Sequence, residues 1–473
     1  MKIKTKVVVT LGPATNSYEM VEQLVCLGMD VARINMSHGE YEEHRQTIAW
    51  LKKARKKLGK PLAIMLDTKG PELRVGKISG GSIELKEGDE VELGEKSSSS
   101  KSVFIPLDPA HIIKEIPVKA TVLFDDGYIE TCVVETLEKS VKLKVLKGGS
   151  LKSQKGINIP GVSLSLPALT ERDKEDIASG ISEDIDIVAA SFIRSAKHVE
   201  SILDWMRQKG GSDTLLLAKI ESAEGVANFD AILEKVDGIM VARGDLGVEL
   251  PLTQVPQLQK MMIRKCYKAF KPVITATQML ETMIDNTRPT RAEVSDVANA
   301  IYDLTSAVML SGETAIGKHP LQTIKMMQEI IFEAEQNLKL EEFFQKEAEK
   351  SPFSDSSHAI AIAAVKTSYI LKSSVIVAVT SSGYCPNLIA RFRPAMPILA
   401  ITMREKVFNQ MAFFWGVLPH LCSVKDICSA TTEAKKIIKE AKLAHSGSVF
   451  VITTGTPFGK KGSTNSIILE KAL

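Results

Sequence analysis

The sequence predicts an α/β protein built on a (β/α)8 (TIM) barrel, with a small β-barrel lid domain inserted into it and a C-terminal α/β domain after it. Two patterns carry this prediction. Short apolar runs alternate with helix-length segments, which favours parallel strands joined by helices, and one connection is too long to be a crossover. Eight such runs are the number that closes this barrel: KVVVT (Lys6 to Thr10), DVARIN (Asp30 to Asn35), LAIMLD (Leu62 to Asp67), DIVAAS (Asp186 to Ser191), LLLAKI (Leu215 to Ile220), GIMVAR (Gly238 to Arg243), PVITAT (Pro272 to Thr277) and AVMLSG (Ala307 to Gly312).

The long connection lies between the third and fourth runs and holds about 120 residues, which indicates an inserted domain. Its segments SIELKEGDEVELG, KATVLFDDGYIETCVVET and SVKLKVLKGG alternate apolar and polar positions, as half-buried antiparallel strands do. Placed over the mouth of the larger barrel, this insert would act as a lid that excludes water. We expect the barrel to comprise residues 1–69 and 168–345, the lid 70–167 and the last domain 355–473.

After the eighth unit, the Glu-, Lys- and Gln-rich stretch from Glu333 to Asp355 predicts one helix that leads out of the barrel. The last domain repeats the alternation of apolar runs and helical segments, which indicates an open α/β sheet. Its predicted strands are VIVAVTS (Val375 to Ser381), ILAIT (Ile398 to Thr402) and VFVITTG (Val449 to Gly455), and the turns TSSGYCPN and TGTPFGKKGSTN stand where such sheets bind ligands.

Composition excludes several classes of function. Sixty basic residues against 57 acidic ones leave a formal charge of +3 over 473 residues, so nothing in the charge balance points to nucleic acid or to a membrane surface. The six cysteines include no CxxC pair, and the eight histidines show no metal-ligand spacing, so we expect reduced thiols in a cytoplasmic protein. The chain runs straight into its first strand, so secretion is not expected.

Several candidate catalytic and metal-binding residues lie in the stretch from Leu215 to Leu250. Alternate residues of a strand share a face, so Lys219 and Glu221 emerge together at the end of the fifth strand. Asp245 follows the next strand and brings a second carboxylate to the same rim. Two carboxylates beside a lysine suit a divalent metal with a phosphate next to it, because hard cations take oxygen ligands.

A second set of candidates follows the second and third strands. Arg33 offers a fork of donors that suits phosphate, while Asn35 and Ser37, at alternate positions after it, offer neutral oxygens. Asp67 and Thr68 are added by LDTKGPELR. Together these oxygens carry one formal negative charge, which suits a monovalent cation better than a divalent one. The alternative that Asn35, Ser37 and Asp67 cap helices remains open.

The segment MVARGDLGVEL follows the sixth strand. Its glycines allow close approach of the backbone to a ligand, and a short helix starting at Asp245 would offer free N–H groups to a carboxylate or phosphate. Asp245 as a simple helix cap is the alternative. Thr10, Ser191, Thr277 and Ser311 also stand at predicted strand ends, where single residues of this kind are often turn formers.

Two other signals are set aside. GETAIGKH (Gly312 to His319) nearly matches a phosphate-binding P-loop, but His319 replaces the hydroxyl residue that would bind Mg²⁺, and the strand before it already belongs to the barrel. KKARKKLGK (Lys52 to Lys60) is a basic run on a predicted helix without interleaved aromatic residues, and we interpret it as a solvated face rather than a nucleic-acid site.

Seven segments together resemble the pyruvate kinase family in order and spacing: RINMSHG, LDTKGPELR, AKIES, MVARGDLGVE, ATQMLETM, RPTRAEVSDVANA and MLSGETA. The resemblance extends over nearly the whole chain, is weakest in the inserted and last domains, and is to members of bacterial type without an N-terminal extension. It implies the same architecture as the strand count. It also implies transfer of the phosphoryl group of phosphoenolpyruvate to ADP, giving pyruvate and ATP, in the last step of glycolysis.

Carried over by motif, the resemblance assigns roles to individual residues. Glu221 and Asp245 would hold Mg²⁺ (or Mn²⁺), which bridges the substrate's carboxylate and phosphate. Lys219 would face the phosphoryl group and the developing enolate. The remaining assignments are Arg33 and Arg74 for the phosphate, the N–H groups of Gly244 and Asp245 with Thr277 for the carboxylate, a water held near Thr277 and Ser311 for protonation of the enolate, and Asp126 of the lid for the nucleotide's metal.

The resemblance also implies a site for a monovalent cation and an oligomeric state. Asn35, Ser37, Asp67 and Thr68 would bind K⁺, and Glu72 stands where K⁺-dependent members have glutamate and K⁺-independent ones have lysine. We therefore expect K⁺ dependence. Similar proteins are homotetramers, so a homotetramer is expected.

The sequence departs from the family at the turn TSSGYCPN. Many allosteric members carry a basic residue and then Ser or Thr after its glycine, whereas this chain has Tyr384 and Cys385. Thr380, Ser381 and Ser382 leave a nest of donors, but the charge that would anchor a sugar bisphosphate is absent from the turn. We expect little or no response to fructose 1,6-bisphosphate, and another effector would use Lys460 or Lys461.

Two other functions compete. One is a catalytically idle metabolite-binding regulator with the same fold, which would be expected to lose at least one of Lys219, Glu221, Asp245 and Arg33, and none is lost. The other is a barrel lyase that acts on phosphoenolpyruvate or a keto acid through a metal enolate. A lyase would leave the lid and the nucleotide without a role. Dependence of the reaction on ADP distinguishes a kinase from a lyase.

Overall fold

The computed structural model describes residues 3–98, 103–350, 355–458 and 462–472. The chain begins with strands and helices in strict alternation, and single residues set where the first helix begins and where the second ends. The Ser17 side chain caps the first helix by accepting the Met20 N–H, and Gly59, at a φ of 61°, ends the second in a left-handed conformation that favours glycine. These elements are β1 (Lys6–Leu11), α1 (Tyr18–Cys26), β2 (Val31–Asn35), α2 (Tyr41–Leu58) and β3 (Ala63–Asp67).

The inserted segment forms a separate small β barrel around its own apolar core. Seven of its strands close in the order β10, β6, β7, β4, β12, β8 and β9, and β5 pairs with β11. Its strands are β4 (Leu73–Val75), β5 (Ser82–Leu85), β6 (Glu90–Gly94), β7 (Val103–Asp108), β8 (Thr121–Phe124), β9 (Ile129–Thr136), β10 (Ser140–Lys147), β11 (Gly149–Lys152) and β12 (Gly156–Asn158).

The prediction that this insert is wholly antiparallel was wrong at one pair of strands. β6 and β7 run parallel, with Val91 opposite Val103. An alternating apolar pattern tells which face of a strand is buried, but it is the same for both strand directions. The pattern therefore predicted the barrel and left the direction of this pair undetermined.

After the insert, the chain returns to complete the large barrel. Eight parallel strands close in the order β1, β2, β3, β13, β14, β15, β16 and β17, which confirms the (β/α)8 prediction. The elements are α3 (Glu171–Ser182), β13 (Ile187–Ala190), α4 (Ala196–Gln208), β14 (Leu215–Ile220), α5 (Ala223–Ala227), α6 (Phe229–Lys235), β15 (Gly238–Ala242), α7 (Arg243–Glu249), α8 (Val255–Lys268), β16 (Val273–Ala276), α9 (Arg291–Tyr302), β17 (Ala307–Leu310), α10 (Gly312–Ala315) and α11 (Pro320–Gln336).

The predicted single helix from Glu333 to Asp355 was wrong. Helix α11 ends at Gln336, and a separate helix, α12 (Leu340–Lys350), follows. The side-chain amide of Asn337 donates to the Glu333 carbonyl at 2.8 Å, so it satisfies one of the carbonyls that a continuing helix would pair with a backbone N–H. Helix propensity in the surrounding residues does not reveal this local competition.

The last domain is an open, five-stranded sheet in the order β20, β19, β18, β21 and β22, parallel except for β22. The three predicted strands are present, whereas β20 and β22 were not predicted. Both lie at the edges of the sheet, where a half-exposed strand is less apolar than a central one. Lys460 and Lys461 lie outside the described residues. The elements are α13 (Ser356–Ile370), β18 (Ile376–Val379), α14 (Tyr384–Arg391), β19 (Ile398–Thr402), α15 (Glu405–Gln410), β20 (Val417–Leu421), α16 (Ile427–Glu440), β21 (Val449–Gly455) and β22 (Thr464–Lys471).

The two smaller domains contact opposite ends of the large barrel. At the amino ends of the strands, Lys6 Nζ donates to the Val417 carbonyl of the last domain at 3.0 Å. On the carboxyl side, the Asn158 amide of the insert donates to Glu249 at 3.0 Å. The insert therefore lies over the end where a (β/α)8 barrel places its active site. Among the described residues, no helix combines the length and apolar character needed to cross a bilayer.

Candidate active site

A cleft of about 590 Å³ lies between the insert and the carboxyl ends of the barrel strands. Glu72, Arg74 and Asp126 line it from the insert, and Asp245 lines it from the barrel. The cleft thus collects charged side chains from two domains.

Strand periodicity explains why three charged side chains of the barrel strands point into the barrel interior. Val31, Met65 and Leu217 are fully buried in the apolar core cluster that fills the barrel interior. Two residues further along the same strands, and hence on the same face, stand Arg33, Asp67 and Lys219. The top of the barrel interior is therefore a polar layer that continues the apolar layers beneath it.

Asp67 lies between two cations in this polar layer. Its Oδ2 accepts from Arg33 Nε at 2.6 Å, and its Oδ1 lies 2.9 Å from Lys219 Nζ. Arg33 also donates to Thr10 Oγ1 at 3.0 Å. Burial alone would raise the pKa of Asp67, but the two cations outweigh it and hold that pKa below its usual value. Asp67 therefore stays ionised and fixes both cations.

Lys219 is held on three sides. Its Nζ donates to Ser191 Oγ at 2.7 Å and lies 3.0 Å from Glu221. Burial would lower the pKa of Lys219, yet Asp67 and Glu221 outweigh burial and raise it. The side chain is a fixed positive charge in a buried site rather than a proton donor, which is the form that stabilises developing negative charge.

Buried Glu221 and half-buried Asp245 form a pair of neighbouring carboxyls. Burial first and Asp245 second raise the pKa of Glu221 to about 7, against the opposing effect of Lys219. Burial likewise raises the pKa of Asp245, while Lys219 and a hydrogen bond from Glu221 oppose it. The Phe192 N–H donates to Glu221 at 2.5 Å and orients it. Two neighbouring carboxyls that resist ionising together fit a divalent cation, which would supply the missing positive charge.

The backbone at Gly244 is positioned by Thr277. The Gly244 N–H donates to Thr277 Oγ1 at 2.9 Å, so this N–H is not free, contrary to the expectation for the helix start. Asp245 is the third residue of α7, whose N-cap is Ala242, so the helix-cap alternative for Asp245 was wrong. Thr277 has a φ of 67°, a left-handed conformation that is costly for a β-branched residue.

Arg243 holds the strained backbone at Thr277 in place. Its Nη2 donates to the Thr277 carbonyl at 2.6 Å, and its Nε donates to the Ala276 carbonyl at 3.1 Å. The carboxylate of Asp296 on α9 anchors the same guanidinium at 2.7 Å. This network positions the Thr277 hydroxyl at the rim of the barrel.

Ser311 completes the polar rim on the neighbouring strand. Its Oγ is buried and has no hydrogen-bond partner among the described residues. A buried hydroxyl without a partner is costly, and a bound water or a substrate atom would satisfy it. This observation fits the expected water near Ser311.

The residues predicted for a monovalent cation gather at the ends of β2 and β3. Asn35 ends β2, Ser37 lies in the turn after it, and the Ser37 N–H donates to Asn35 Oδ1 at 3.2 Å. The Ser191 N–H donates to Thr68 Oγ1 at 3.1 Å. Helix α2 follows Glu40 as its N-cap. Asn35, Ser37 and Asp67 therefore cap no described helix, and the capping alternative was wrong.

Glu72 and Arg74 contribute from the edge of the insert. They form a hydrogen-bonded ion pair, and Arg74 Nη1 also donates to the Gln154 carbonyl at 2.8 Å. The negative charge of Glu72 reaches the metal candidates, since it contributes to raising the pKa of Asp245. The expected phosphate ligand Arg74 thus lies in the cleft.

Sequence reasoning assigned no role to three residues that shape this site. Ser191 was noted only as a polar strand end, yet it accepts from Lys219 and donates to the Thr68 carbonyl at 2.6 Å. Phe192 acts through its backbone, and Asp296 acts from a helix distant in sequence. The alternating pattern pointed to Ser191, and Asp296 lies within the family segment RPTRAEVSDVANA, which marked the region without giving that residue a role. The backbone role of Phe192 had no signal in the sequence.

The two signals that were set aside have structural roles. Residues Gly312–Ala315 form the short helix α10, and buried Glu313 accepts the Leu280 and Ser311 N–H groups at 3.1 and 2.6 Å, so the rejection of a P-loop is consistent with the structure. The interpretation of the basic run as a solvated face was wrong for Arg55. That residue is buried and pairs with Asp186 at 3.0 Å, because one face of α2 packs on the barrel.

Comparison with known proteins gives one consistent result. The family pattern described as pyruvate kinase, barrel domain, matches residues 2–324, and that of the pyruvate kinase alpha/beta domain matches residues 358–469. The chain is 44% identical to a pyruvate kinase of Geobacillus stearothermophilus over 98% of this chain and 80% of that protein. It is 41% identical to one of Sporosarcina psychrophila over 98% and 79%. A solved pyruvate kinase from Cryptosporidium parvum has a TM-score of 0.94 at 34% identity, covering 100% of this chain and 96% of the other.

Proposed function

The chain belongs to the pyruvate kinase family, and we propose that the cleft between its barrel and its lid is where it transfers the phosphoryl group of phosphoenolpyruvate to ADP, giving pyruvate and ATP. The enzyme is a phosphotransferase of glycolysis. The observation that carries the assignment is the buried Lys219 ammonium, which lies 3.0 Å from Glu221. Asp245, which acts on the pKa of both groups, lines the cleft. A fixed cation next to two carboxyls suits the charges that this reaction brings together.

Lys219 and Arg33 act on the phosphoryl group. Both are held by Asp67, so their positive charges are oriented before substrate binds. Charge that develops on the transferred group and on the enolate is stabilised by such preorganised donors without further rearrangement. Arg74 reaches the same cleft from the lid and adds a third cation for the phosphate.

Glu221 and Asp245 are the residues that would hold Mg²⁺ (or Mn²⁺). The bound divalent ion would neutralise phosphate and carboxylate charge on the substrate and act as a Lewis acid. The two carboxyls would then be ionised together, because their mutual repulsion is offset. Asp126, in the same cleft, is the candidate for the nucleotide's metal.

Thr277 and the N–H groups of Gly244 and Asp245 would receive the substrate carboxylate. The hydrogen bond between Gly244 and Thr277 occupies one of these donors and would be exchanged for one to the substrate. The proton that converts the enolate to pyruvate would come from a water held near the Thr277 and Ser311 hydroxyls. The Ser311 Oγ, for which the described part of the chain offers no hydrogen-bond partner, supports that placement.

K⁺ would bind at Asn35, Ser37, Asp67 and Thr68, whose oxygens gather where β2 and β3 end. Glu72 supports K⁺ dependence. A lysine at this position would supply a positive charge to the site, whereas a carboxylate does not, so the charge has to come from a bound cation.

The cytoplasmic location and the homotetramer rest on the resemblance to similar proteins. We propose no nucleic-acid or membrane partner, and little response to fructose 1,6-bisphosphate, because no cation follows Gly383 in its turn.

The decisive experiment measures pyruvate formation from phosphoenolpyruvate with Mg²⁺, with and without ADP, in paired buffers that contain K⁺ or only a bulky organic cation. Strong activity that requires both ADP and K⁺ is the expected result. ADP-dependent activity that is equal in both buffers would keep the kinase reaction and overturn the K⁺ site. Activity without ADP would favour a lyase, and no activity in any buffer would favour an idle regulator.

A further inference from the structure

Three potential metal ligands converge in the C-terminal domain, away from the cleft of the large barrel. His420 lies in β20, Cys422 directly follows that strand, and Glu433 lies in α16. One ligand atom from each of the three residues lies within 4.8 Å of the other two. All three side chains are half-buried, so an ion has access and is partly shielded from water.

The local structure explains why these three meet. His420 and Cys422 are two residues apart on an extended segment and so share a face. The Cys422 N–H continues the sheet by donating to the Thr402 carbonyl at 3.0 Å. His420 is paired with Ile401 of the neighbouring strand, which belongs to the core cluster that α16 covers. The shared face is therefore the one that faces α16.

Glu433 reaches the same place from the helix. It lies three residues after Ala430 and four before Ile437, both buried against the sheet, so it stands on the sheet-facing side of α16. Its Oε1 lies 3.6 Å from His420 Nε2. In a tetrahedral site with bonds of about 2.0 to 2.3 Å, two ligand atoms are separated by about 3.3 to 3.7 Å. The observed separation of the histidine and glutamate atoms is already that of two ligands of one ion.

The set of donor atoms selects the class of ion. An imidazole nitrogen, a thiol sulfur and a carboxylate oxygen are the ligands of zinc and related transition metals, whereas Mg²⁺, Ca²⁺ and K⁺ prefer oxygen alone. Three protein ligands leave a fourth tetrahedral position for water. The histidine spacing had suggested no metal site anywhere in the sequence, because Glu433 joins the other two only through the fold.

We propose that His420, Cys422 and Glu433 form a binding site for a divalent transition-metal ion, with Zn²⁺ as its preferred occupant. Binding at this site links the edge strand β20 to helix α16. The site is separate from the oxygen-lined Mg²⁺ candidates Glu221 and Asp245, and its ligand chemistry differs from theirs.

One neighbouring charge competes with the ion. Lys436 Nζ lies 3.6 Å from Glu433 Oε1, and its side chain is 60% exposed. An exposed ion pair of this kind is weak, so the ammonium swings into solvent when a metal takes the carboxylate. Removing it frees Glu433, and Lys436→Met is therefore expected to tighten metal binding.

The test is a titration of the full-length protein with Co²⁺, in excess Mg²⁺ and a non-thiol reductant, followed by absorption spectroscopy. A sulfur-to-cobalt charge-transfer band arises only when a thiolate binds the metal, so the oxygen ligands of the barrel cleft do not contribute to it. We expect the band in the wild-type protein with one equivalent of Co²⁺, and we expect Zn²⁺ to remove it by displacement.

Variants identify the ligands. Cys422→Ser should lose the band, whereas Cys428→Ser, which removes an exposed cysteine from helix α16, should keep it. Glu433→Gln and His420→Ala should weaken Co²⁺ binding by about tenfold or more. Unchanged thermal unfolding and unchanged pyruvate formation with Mg²⁺ would show that each variant is folded. A wild-type protein without the band, or a band that survives in Cys422→Ser, would overturn the proposal.

Discussion

Lys219 Nζ lies 2.9 Å from Asp67 Oδ1, and this contact joins two strands that are not neighbours in the large barrel. The carboxylate pairs with Arg33 through its other oxygen. A single buried anion thus orients both cations that are proposed to face the phosphoryl group. Because the aspartate is fully buried and paired twice, each cation keeps its position without substrate.

Replacing Lys219 with methionine keeps the length of the side chain and removes its charge. We expect Lys219→Met to lower kcat by about 10² to 10³-fold or more, the range seen when one preorganised donor is lost, with a smaller effect on KM for phosphoenolpyruvate. An assay that couples pyruvate formation to NADH oxidation measures both constants. Lys174→Met, which removes a half-exposed ammonium paired with Glu171, is the matched control and should leave both constants unchanged. A KM effect without loss of kcat would contradict the proposed role.

Glu72 is expected to determine the dependence on K⁺. Glu72→Lys places a permanent cation near Asp245, whose pKa already responds to the charge of Glu72. The ratio of activity with K⁺ to activity with a bulky organic cation should fall by about tenfold or more, which corresponds to about 1.4 kcal/mol of transition-state stabilisation. Glu84→Lys makes the same charge change at an exposed position of β5 and should leave the ratio unchanged. A ratio that stays at the wild-type value in Glu72→Lys would refute this explanation.

Thr277 is expected to act through its hydroxyl. Thr277→Ala removes the acceptor for the Gly244 N–H and the group that would hold the protonating water, so kcat should fall by about 10² to 10³-fold. Thr277→Ser retains the oxygen and should recover most of the loss. If both variants lose the same activity, the backbone conformation and the methyl group would matter rather than the hydroxyl. Steady-state kinetics with thermal unfolding as a folding control distinguishes these outcomes.

Asp186 should make stability depend on pH. Burial raises the pKa of Asp186 from 3.8 to about 6, with Arg55 opposing the shift, and Oδ1 has no hydrogen-bond partner among the described residues. A raised pKa means that the folded state binds the proton more tightly than the unfolded state. The stabilising contribution is therefore complete below about pH 4 and is lost as the pH rises through about 6.

Comparison with Asp186→Asn tests this expectation. The free energy of unfolding of the wild-type protein should fall more between pH 4.5 and about pH 7 than that of the variant, which cannot titrate here. Denaturant unfolding at each pH measures the difference. Asp204→Asn, which changes an aspartate that is 59% exposed, should follow the wild-type curve. Parallel curves for wild type and Asp186→Asn would show that Arg55 keeps Asp186 ionised throughout.

The local pattern of apolar and polar residues predicted most of the architecture, and the predictions that were wrong have local causes. The eight barrel strands were found because strands buried on both faces read as short apolar runs. The edge strands β20 and β22 were missed because edge strands lack that signal. Asn337 ends α11 through a side-chain hydrogen bond to Glu333, which composition does not reveal. Within the site, alternation placed Lys219 and Glu221 on one face, and that prediction is confirmed by their contact at 3.0 Å.

The sequence by itself determined which chemistry-bearing side chains point into the barrel, because the period of a strand is a local property and holds in any tertiary context. Only the tertiary structure decided what those side chains meet. Asp67 pairs with Lys219, Asp296 anchors Arg243, and Glu433 approaches His420 although 12 residues separate them in the sequence. Such pairs form where strands close and helices pack, and the burial that accompanies packing sets their charge states. Neither the pairing nor the burial is encoded in the spacing of the residues along the chain.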